Sequence, residues 1–359
     1  MNYLRVEHLS LTLERAEADE AKELNSVSFE VDQNEIVGIL GPSGAGKSLV
    51  LRAILGLERP DEGEVFLEGE ALSERPAAGR GMAYLSQRLV LYPHLPGEVN
   101  AGFFYWIRKQ FSKKHEIRFH PVVREILTHL HLTEASLLER LPRSLAGGEK
   151  QRIALARALA SEAKILLLDE PLANIEDNFR DVLRHFLRDW IKKRGQTALV
   201  VSHNQEEMAS LCDRLLLMDQ GRIIQQGGYE ELCFSPVSRI TALFMGNSRK
   251  NFLSAEFIEK RWKKKCEYDV VLLPQLGKAT ADDPWDLEVE GKVIMVEHFF
   301  REKKKLLCVE EKNELFFWEV AETMSLNRGD RVRFFLPVKE GWFFERVYPY
   351  KRIYQGVFE

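Results

Sequence analysis

Gly41-Pro42-Ser43-Gly44-Ala45-Gly46-Lys47-Ser48 follows the short aliphatic run Ile36–Leu40 and precedes a helical run at residues 49–55. The octapeptide satisfies G-x-x-x-x-G-K-[ST], and a strand before it with a helix after it is the context in which that pattern has meaning. The glycines let backbone N–H groups converge on phosphate oxygens, and the helix aims the positive end of its dipole at the same point. Lys47 is placed to reach the β- and γ-phosphates of a nucleotide, and the Ser48 hydroxyl to ligate Mg²⁺. A glycine-rich turn without a ligand is the plainer alternative, and the flanking elements weigh against it.

The loop predicts an α/β fold, and the rest of the first 234 residues agrees. Residues 36–40, 165–168, 198–201 and 215–218 read as short buried strands, and the stretches after Lys47 and around 152–160, 179–193 and 206–212 as helices. Strands alternating with helices predict a mostly parallel sheet covered on both faces. Residues 4–13, 27–31, 64–67 and 82–85 alternate instead like antiparallel, half-exposed strands. Between about 88 and 144 the strand signal fades, and 103–111 and 122–132 look helical around a basic, polar segment at 112–120.

The strand at 165–168 ends in Asp169 and Glu170. Asp169 is placed to hold Mg²⁺ through its water shell, and Glu170 to polarise an attacking water. An acidic strand end is common in any α/β protein; its pairing with the Lys47 loop makes it informative.

Composition removes other classes. The 359 residues, at about 150 per domain, predict two to three domains. Lysine and arginine total 51 against 55 aspartate and glutamate, a formal charge of −4, which argues against a dedicated nucleic-acid binder. The four cysteines, Cys212, Cys233, Cys266 and Cys308, form no CxxC pair and read as reduced thiols. No apolar stretch approaches the ~18 residues that cross a bilayer, and residues 1–20 do not read as a signal peptide. After about residue 246 the texture changes. A basic stretch at 249–265 and a Gly/Ala/Asp/Pro-rich loop at 275–286 read as linker, and short strand candidates at 287–296, 306–309, 315–320, 331–336 and 342–347 suggest a small all-β barrel.

Five motifs in one order make the chain resemble the ATP-binding-cassette (ABC) ATPases over residues 1 to about 245. They are the phosphate loop, Gln87, Leu145-Ala146-Gly147-Gly148-Glu149, Asp169-Glu170 and His203. The resemblance implies a P-loop NTPase cassette with antiparallel β and helical subdomains (the latter at about 88–150). An OB-like barrel of the TOBE/Mop type would follow at 286–359, beyond a linker at 246–285. It implies ATP and Mg²⁺ as cofactors, with Gln87, Glu170 and His203 in the catalytic role and Ser48, Gln87 and Asp169 around the metal. Residues 41–48 would bind nucleotide, and 145–149 would meet the γ-phosphate of ATP held by the other subunit of a dimer. Ala173-Asn174-Ile175-Glu176 takes the place of the D-loop.

Three positions depart from the pattern: Ala146 lacks the signature hydroxyl, Glu176 replaces an aspartate, and Leu11 and Leu13 stand where an adenine-stacking aromatic is usual. Tyr3 is one candidate substitute. These departures predict slow turnover.

One cassette before a β-rich domain is similar to the importer group serving molybdate, sulfate, iron, polyamines and sugars, with residues 140–152 most like the molybdate members. The resemblance implies a homodimer, polytopic permease partners, an indirect link to a substrate-binding protein, no nucleic acid, and a peripheral place on the cytoplasmic face of the plasma membrane. Residues 91–94 and Phe103-Phe104-Tyr105-Trp106 are candidates for the permease-docking surface, although such an aromatic run is more often core. A soluble ABC ATPase and an anion-sensing regulator remain as alternatives. An oxyanion is the favoured cargo, with sugar, iron or polyamine as the other options.

Overall fold

Every residue of Ile36–Leu40, Ile165–Asp169 and Thr197–Val201 is buried. Aliphatic strands of this kind stay out of water only at the centre of a sheet covered on both sides. In the computed structural model they form that centre. The structure describes residues 3–13, 22–110, 120–246, 249–262, 268–284, 286–299, 302–312, 314–346 and 352–353. They fall into two units, Met1–Tyr229 and Glu230–Glu359.

The first unit opens with β1 (Leu4–Leu13), β2 (Lys22–Val31), β3 (Ile36–Leu40), α1 (Lys47–Leu55), β4 (Glu62–Leu67), β5 (Glu70–Ala71) and β6 (Met82–Leu85). Four helices follow, α2 (Gly97–Ala101), α3 (Phe103–Gln110), α4 (Pro121–His129) and α5 (Ala135–Leu138), and then α6 (Gly147–Leu159). The unit closes with β7 (Ile165–Asp169), α7 (Asp177–Lys193), β8 (Thr197–Val201), α8 (Gln205–Leu211), β9 (Arg214–Asp219) and β10 (Arg222–Gly227). The central sheet runs β10-β9-β3-β8-β7-β6, parallel except for β10. The second sheet, β2-β1-β4-β5, is antiparallel, and Leu4, Val6, Leu9 and Leu24 share one core with Val37, Ile39, Ile54 and Leu199.

One strand is placed differently from expectation. Met82–Leu85 pairs in parallel with Ile165–Leu168, so it belongs to the central sheet. It is an edge strand, and that position is why three of its four residues are only half-buried and read as an antiparallel pattern. The basic segment at 112–119 lies outside the described residues.

The second unit holds α9 (Tyr229–Phe234), α10 (Arg239–Phe244), β11 (Asn251–Leu253), α11 (Ala255–Trp262) and β12 (Asp269–Leu272). After these come β13 (Asp286–Phe299), β14 (Lys304–Glu311), β15 (Glu314–Ala321), β16 (Arg331–Pro337), β17 (Trp342–Phe344) and β18 (Arg352–Ile353). The β-rich tail takes the form of two antiparallel sheets, β15-β14-β13-β16 and β11-β12-β17-β18. The stretch expected as linker therefore carries ordered elements: Leu253, Ala255, Ile258, Val270 and Leu272 share a core with Val289, Leu307, Trp318 and Phe334. The Asn251 amide joins the sheets by bracketing the backbone of Phe317, donating to its carbonyl at 2.8 Å and accepting from its N–H at 2.7 Å. The abundant Lys and Arg of 249–265 masked this pattern; Lys263, Lys264, Lys265 and Cys266 lie outside the described residues. Cys212 and Cys308 are free thiols.

Asp213 ties the central sheet to α7. Its carboxylate accepts from Arg188 at 2.7 Å, from Lys192, and from the Ile36 N–H at 2.8 Å. Burial would raise its pKa, but the bonds from Lys192, the Ile36 N–H and Arg188 outweigh it and hold the carboxyl below its usual range. A depressed carboxylate stabilises above its unfolded pKa and loses that contribution as pH falls through the folded value. Asp213→Asn should thus cost about 1–3 kcal/mol in urea unfolding at neutral pH. The gap to the parent should persist down to about pH 4 and close below it.

Candidate nucleotide-binding site

Parallel strands point their carboxyl ends to one edge of a sheet, where the loops that follow them meet. Here Val201 stands opposite Ile39 on one side and Asp169 on the other. The loops after β3, β7 and β8 therefore converge, and Ser43–Ser48, Gln87, Asp169, Glu170 and His203 line one cavity of about 290 Å³, with Leu49, Arg52 and Val201.

The loop at residues 41–48 has a backbone that suits close approach of a phosphate. Gly41 has φ of 150°, and a Cβ there would lie 2.1 Å from the Met218 carbonyl oxygen; Gly44 has φ of 85°. Both positions exclude side chains, one by collision and one by conformation. Lys47 opens α1, so the first-turn N–H groups of that helix have no intrahelical partner and face the cavity end. Its ammonium donates to the carbonyls of Gly41 and Pro42, both at 2.8 Å, which folds the side chain back over the loop.

At the end of β7, Asp169 is only 2% exposed. Ser48 Oγ donates to Asp169 Oδ1 at 3.0 Å, and the Tyr84 hydroxyl lies 3.5 Å from Oδ2. Burial is the main cause that raises the Asp169 pKa; the Glu170 charge adds to it, while bonds from Ser48, Tyr84 and the Gln87 backbone oppose it. The Tyr84 phenol is pushed up to about 12, first by burial and then by the Asp169 charge. A hydroxyl, a buried carboxylate and the Gln87 amide make an all-oxygen donor set, which suits a hard cation such as Mg²⁺. A cation would also relieve the charge that burial penalises.

Glu170 sits in the left-handed region, φ 53°, unusual for a non-glycine residue. The backbone around it is held from three sides: its N–H donates to the Val201 carbonyl at 2.8 Å, and its carbonyl accepts from Gln151 Nε2 at 3.0 Å and from the Ala173 N–H at 3.2 Å. So fixed, Glu170 Oε1 lies 2.9 Å from Nδ1 of His203, whose side chain is 79% exposed at the cavity mouth.

Residues 24–173 match the family model described as ABC transporter. The spermidine/putrescine import ATP-binding protein PotA of Thermotoga maritima is 32% identical over 326 residues, 90% of this chain and 85% of the relative. The chain belongs to the ABC transporter ATP-binding family. The molybdate/tungstate import ATP-binding protein WtpC of Thermococcus kodakarensis is 43% identical over 223 residues, covering 62% of this chain and 66% of the relative. The sulfate/thiosulfate import ATP-binding protein CysA 1 of Agrobacterium fabrum is 38% identical over 225 residues, 63% of this chain and 64% of the relative. The match thus spans just under two thirds of the oxyanion relatives. Among solved structures, a dimeric ATP-binding cassette in a post-hydrolysis state bound to ADP and Pi aligns with a TM-score of 0.56 at 25% identity, over 63% of this chain and 98% of that one.

Within this ABC chain, residues 145–149 do not line the cavity. Leu145 is buried while Ala146 and Gly147 are exposed, and they sit at the start of α6, where unpaired N–H groups point outward. Glu149 reaches back to the Ala146 N–H at 2.7 Å, but alanine has no oxygen to return the bond, so only half of a capping box forms. Asn174 has φ of 58°, and its carbonyl oxygen would lie 3.0 Å from a Cβ on Gly148. Tyr3, the one candidate substitute for an adenine-stacking ring, is buried in the core at 6%, as is Leu11, and the Leu13 side chain lies outside those described. Tyr3 is withdrawn because it packs in the core between the two sheets.

The aromatic run is partly surface. Tyr92 and Phe103 stack at 4.2 Å between centroids and Phe103 and Trp106 at 5.8 Å, while Tyr105 is buried. Gln151 was the residue least visible beforehand. It is 2% exposed and its amide donates to the carbonyls of Glu170 and Pro171, both at 3.0 Å, linking α6 to the acidic turn. Only its place in the same helix as Gly147 and Gly148 hinted at a role.

Lys47→Ala removes the loop's only ammonium and leaves the backbone cradle. It should weaken binding of a fluorescent adenine nucleotide at least about tenfold, the worth of one charged hydrogen bond, with an unchanged circular dichroism spectrum.

Proposed function

We propose that this chain is the ATP-hydrolysing subunit of an ABC importer, working as a homodimer on polytopic permease subunits. The supporting observation is the convergence of Lys47, Ser48, Asp169, Glu170 and His203 in one cavity, with residues 145–149 outside its lining and Ala146 and Gly147 exposed. A site with its anion-binding helix start outside the cavity is half a site, and a second copy of the chain would supply the missing half.

In this proposal the loop N–H groups and Lys47 hold the β- and γ-phosphates. Mg²⁺ held by Ser48, Asp169 and Gln87 would neutralise charge developing on the phosphate oxygens. Glu170 orients and polarises the attacking water, and the His203 ring, held at 2.9 Å from Glu170, bonds the γ-phosphate. The start of α6 in the partner copy, at Gly147 and Gly148, contacts the same phosphate across the dimer. Closure on ATP and opening after hydrolysis would then move the permease, docked at the surface around Tyr92 and Phe103. Among the described residues no helix is long and apolar enough to cross a membrane, which fits a peripheral place on the cytoplasmic face. With alanine rather than a hydroxyl-bearing residue at position 146, the dimer forgoes one bond to the phosphate, worth about 1 kcal/mol, and turnover is slow.

For the cargo we favour an oxyanion such as molybdate. The support is identity: 43% and 38% with the molybdate/tungstate and sulfate/thiosulfate relatives. The matches over most of the chain, to the spermidine/putrescine relative (326 residues) and to a maltose/maltodextrin import relative (332 residues), support a polyamine or a sugar as the second reading. Uptake of labelled molybdate, spermidine and maltose by cells carrying the chain or its Glu170→Gln variant separates them.

Glu170→Gln should keep nucleotide affinity and lose ATP turnover by at least about a hundredfold. Under MgATP it should accumulate as a dimer by light scattering. Full turnover in that variant would remove Glu170 from the chemistry.

A further inference from the structure

A second carboxyl group lies near the Glu170–His203 pair and has no part in the mechanism above. Glu207 stands in the first turn of α8 and is 4% exposed. Its Oε2 lies 3.4 Å from Ser202 Oγ, and its Oε1 is fully enclosed with no hydrogen-bond partner among the described residues. Leaving a buried charged oxygen unpaired is costly, so the geometry favours a neutral carboxyl.

The same residues brace the turn that carries His203. Ser202, 1% exposed, accepts from the Asn204 N–H at 3.1 Å, and Asn204 Oδ1 accepts from the Glu207 N–H at 3.0 Å. His203 lies between Ser202 and Asn204 in this turn, and its Nδ1 is the atom that meets Glu170. We propose that Glu207 is a positioning residue: uncharged, it backs the Ser202–Asn204 turn so that His203 meets Glu170; charged, it repels Glu170 and draws the Glu170–His203 pair apart. The proposal rests on the ATPase reading above and adds to it a brake applied by alkaline pH.

The groups facing Glu207 set where this happens. Glu170 comes from the turn after β7, His203 from the turn after β8, Arg180 from α7, and Cys212 from the end of α8; β3, which also packs on α8, offers no ionisable side chain. Burial chiefly, and then the Glu170 charge, push the Glu207 carboxyl up to about 7, against the opposing pull of Ser202, Arg180 and His203. Below that pH the side chain is neutral; above it a second negative charge stands beside Glu170.

The test is the pH profile of ATP turnover by the full chain, read together with an infrared titration of protonated carboxyl groups. Wild type should lose kcat as pH rises from about 6 to about 8, with KM for ATP constant because Glu207 does not line the nucleotide cavity. Glu207→Ala should lower kcat at least about tenfold across that range. Glu207→Gln, neutral and of the same length, should recover most of that loss and show no alkaline limb. A Gln variant with the wild-type alkaline limb, or one no better than Ala, overturns the proposal. In the infrared, a carboxyl band titrating near neutral pH should vanish in Glu207→Gln, and its persistence also overturns it. Absence of turnover in wild type would instead defeat the ATPase reading, while the infrared titration still decides the state of Glu207.

Discussion

The register of three parallel strands carries the site. Because Val201 faces Ile39 and Asp169 across neighbouring ladders, the ends of β3, β7 and β8 lie side by side. A slip of one residue in β8 would turn its side chains to the opposite face and move His203 away from Glu170. Complete burial holds all three strands at the centre of the sheet. Fully burying each aliphatic side chain is worth about 1.5–3 kcal/mol, so a misplaced strand is costly. Asp213 adds a local lock, since it bonds the first N–H of β3 and two cations of α7 at once.

On that platform the site combines charges that would not coexist without their supports. Asp169 is buried, Glu170 is next to it in a left-handed backbone conformation, and Glu207 is buried within reach of the Glu170 charge. Gln151 fixes the backbone of Glu170 from α6, and the Ser202–Asn204–Glu207 bonds brace the turn that carries His203. The carboxyl cluster is thus matched to a ligand that brings positive charge with its phosphates, which a nucleotide bound with Mg²⁺ does.

Much of this was legible in the residues. The phosphate loop, the strands beside it, Asp169, Glu170 and the helix at 179–193 follow from local pattern, because buried strands and glycine turns leave signals within a few residues, whereas Gln87 and His203 stood out only through the family resemblance. What depends on neighbours distant in sequence was less visible. Met82–Leu85 reads as a half-exposed strand and turns out to be the parallel edge of the central sheet. Asn251, Val270 and Leu272 lie in a segment whose lysines and arginines suggested linker, yet they build a sheet with Trp342–Phe344 and Arg352–Ile353. Tyr3 offered a ring on paper and buries it in the core. Gln151, Ser202 and Glu207 are ordinary polar residues until folding sets them against the acidic turn.

The proposed composite site, with the phosphate loop of one copy closed by the start of α6 from another, is what links this geometry to transport. Its most direct measurement is a thiol cross-link between two differently tagged copies, Ser43→Cys in one and Gly147→Cys in the other, both carrying Glu170→Gln. The account predicts a cross-linked heterodimer that forms with MgATP and not without it, and that is lost when the Ser43 substitution is omitted. No cross-link in saturating MgATP would contradict it.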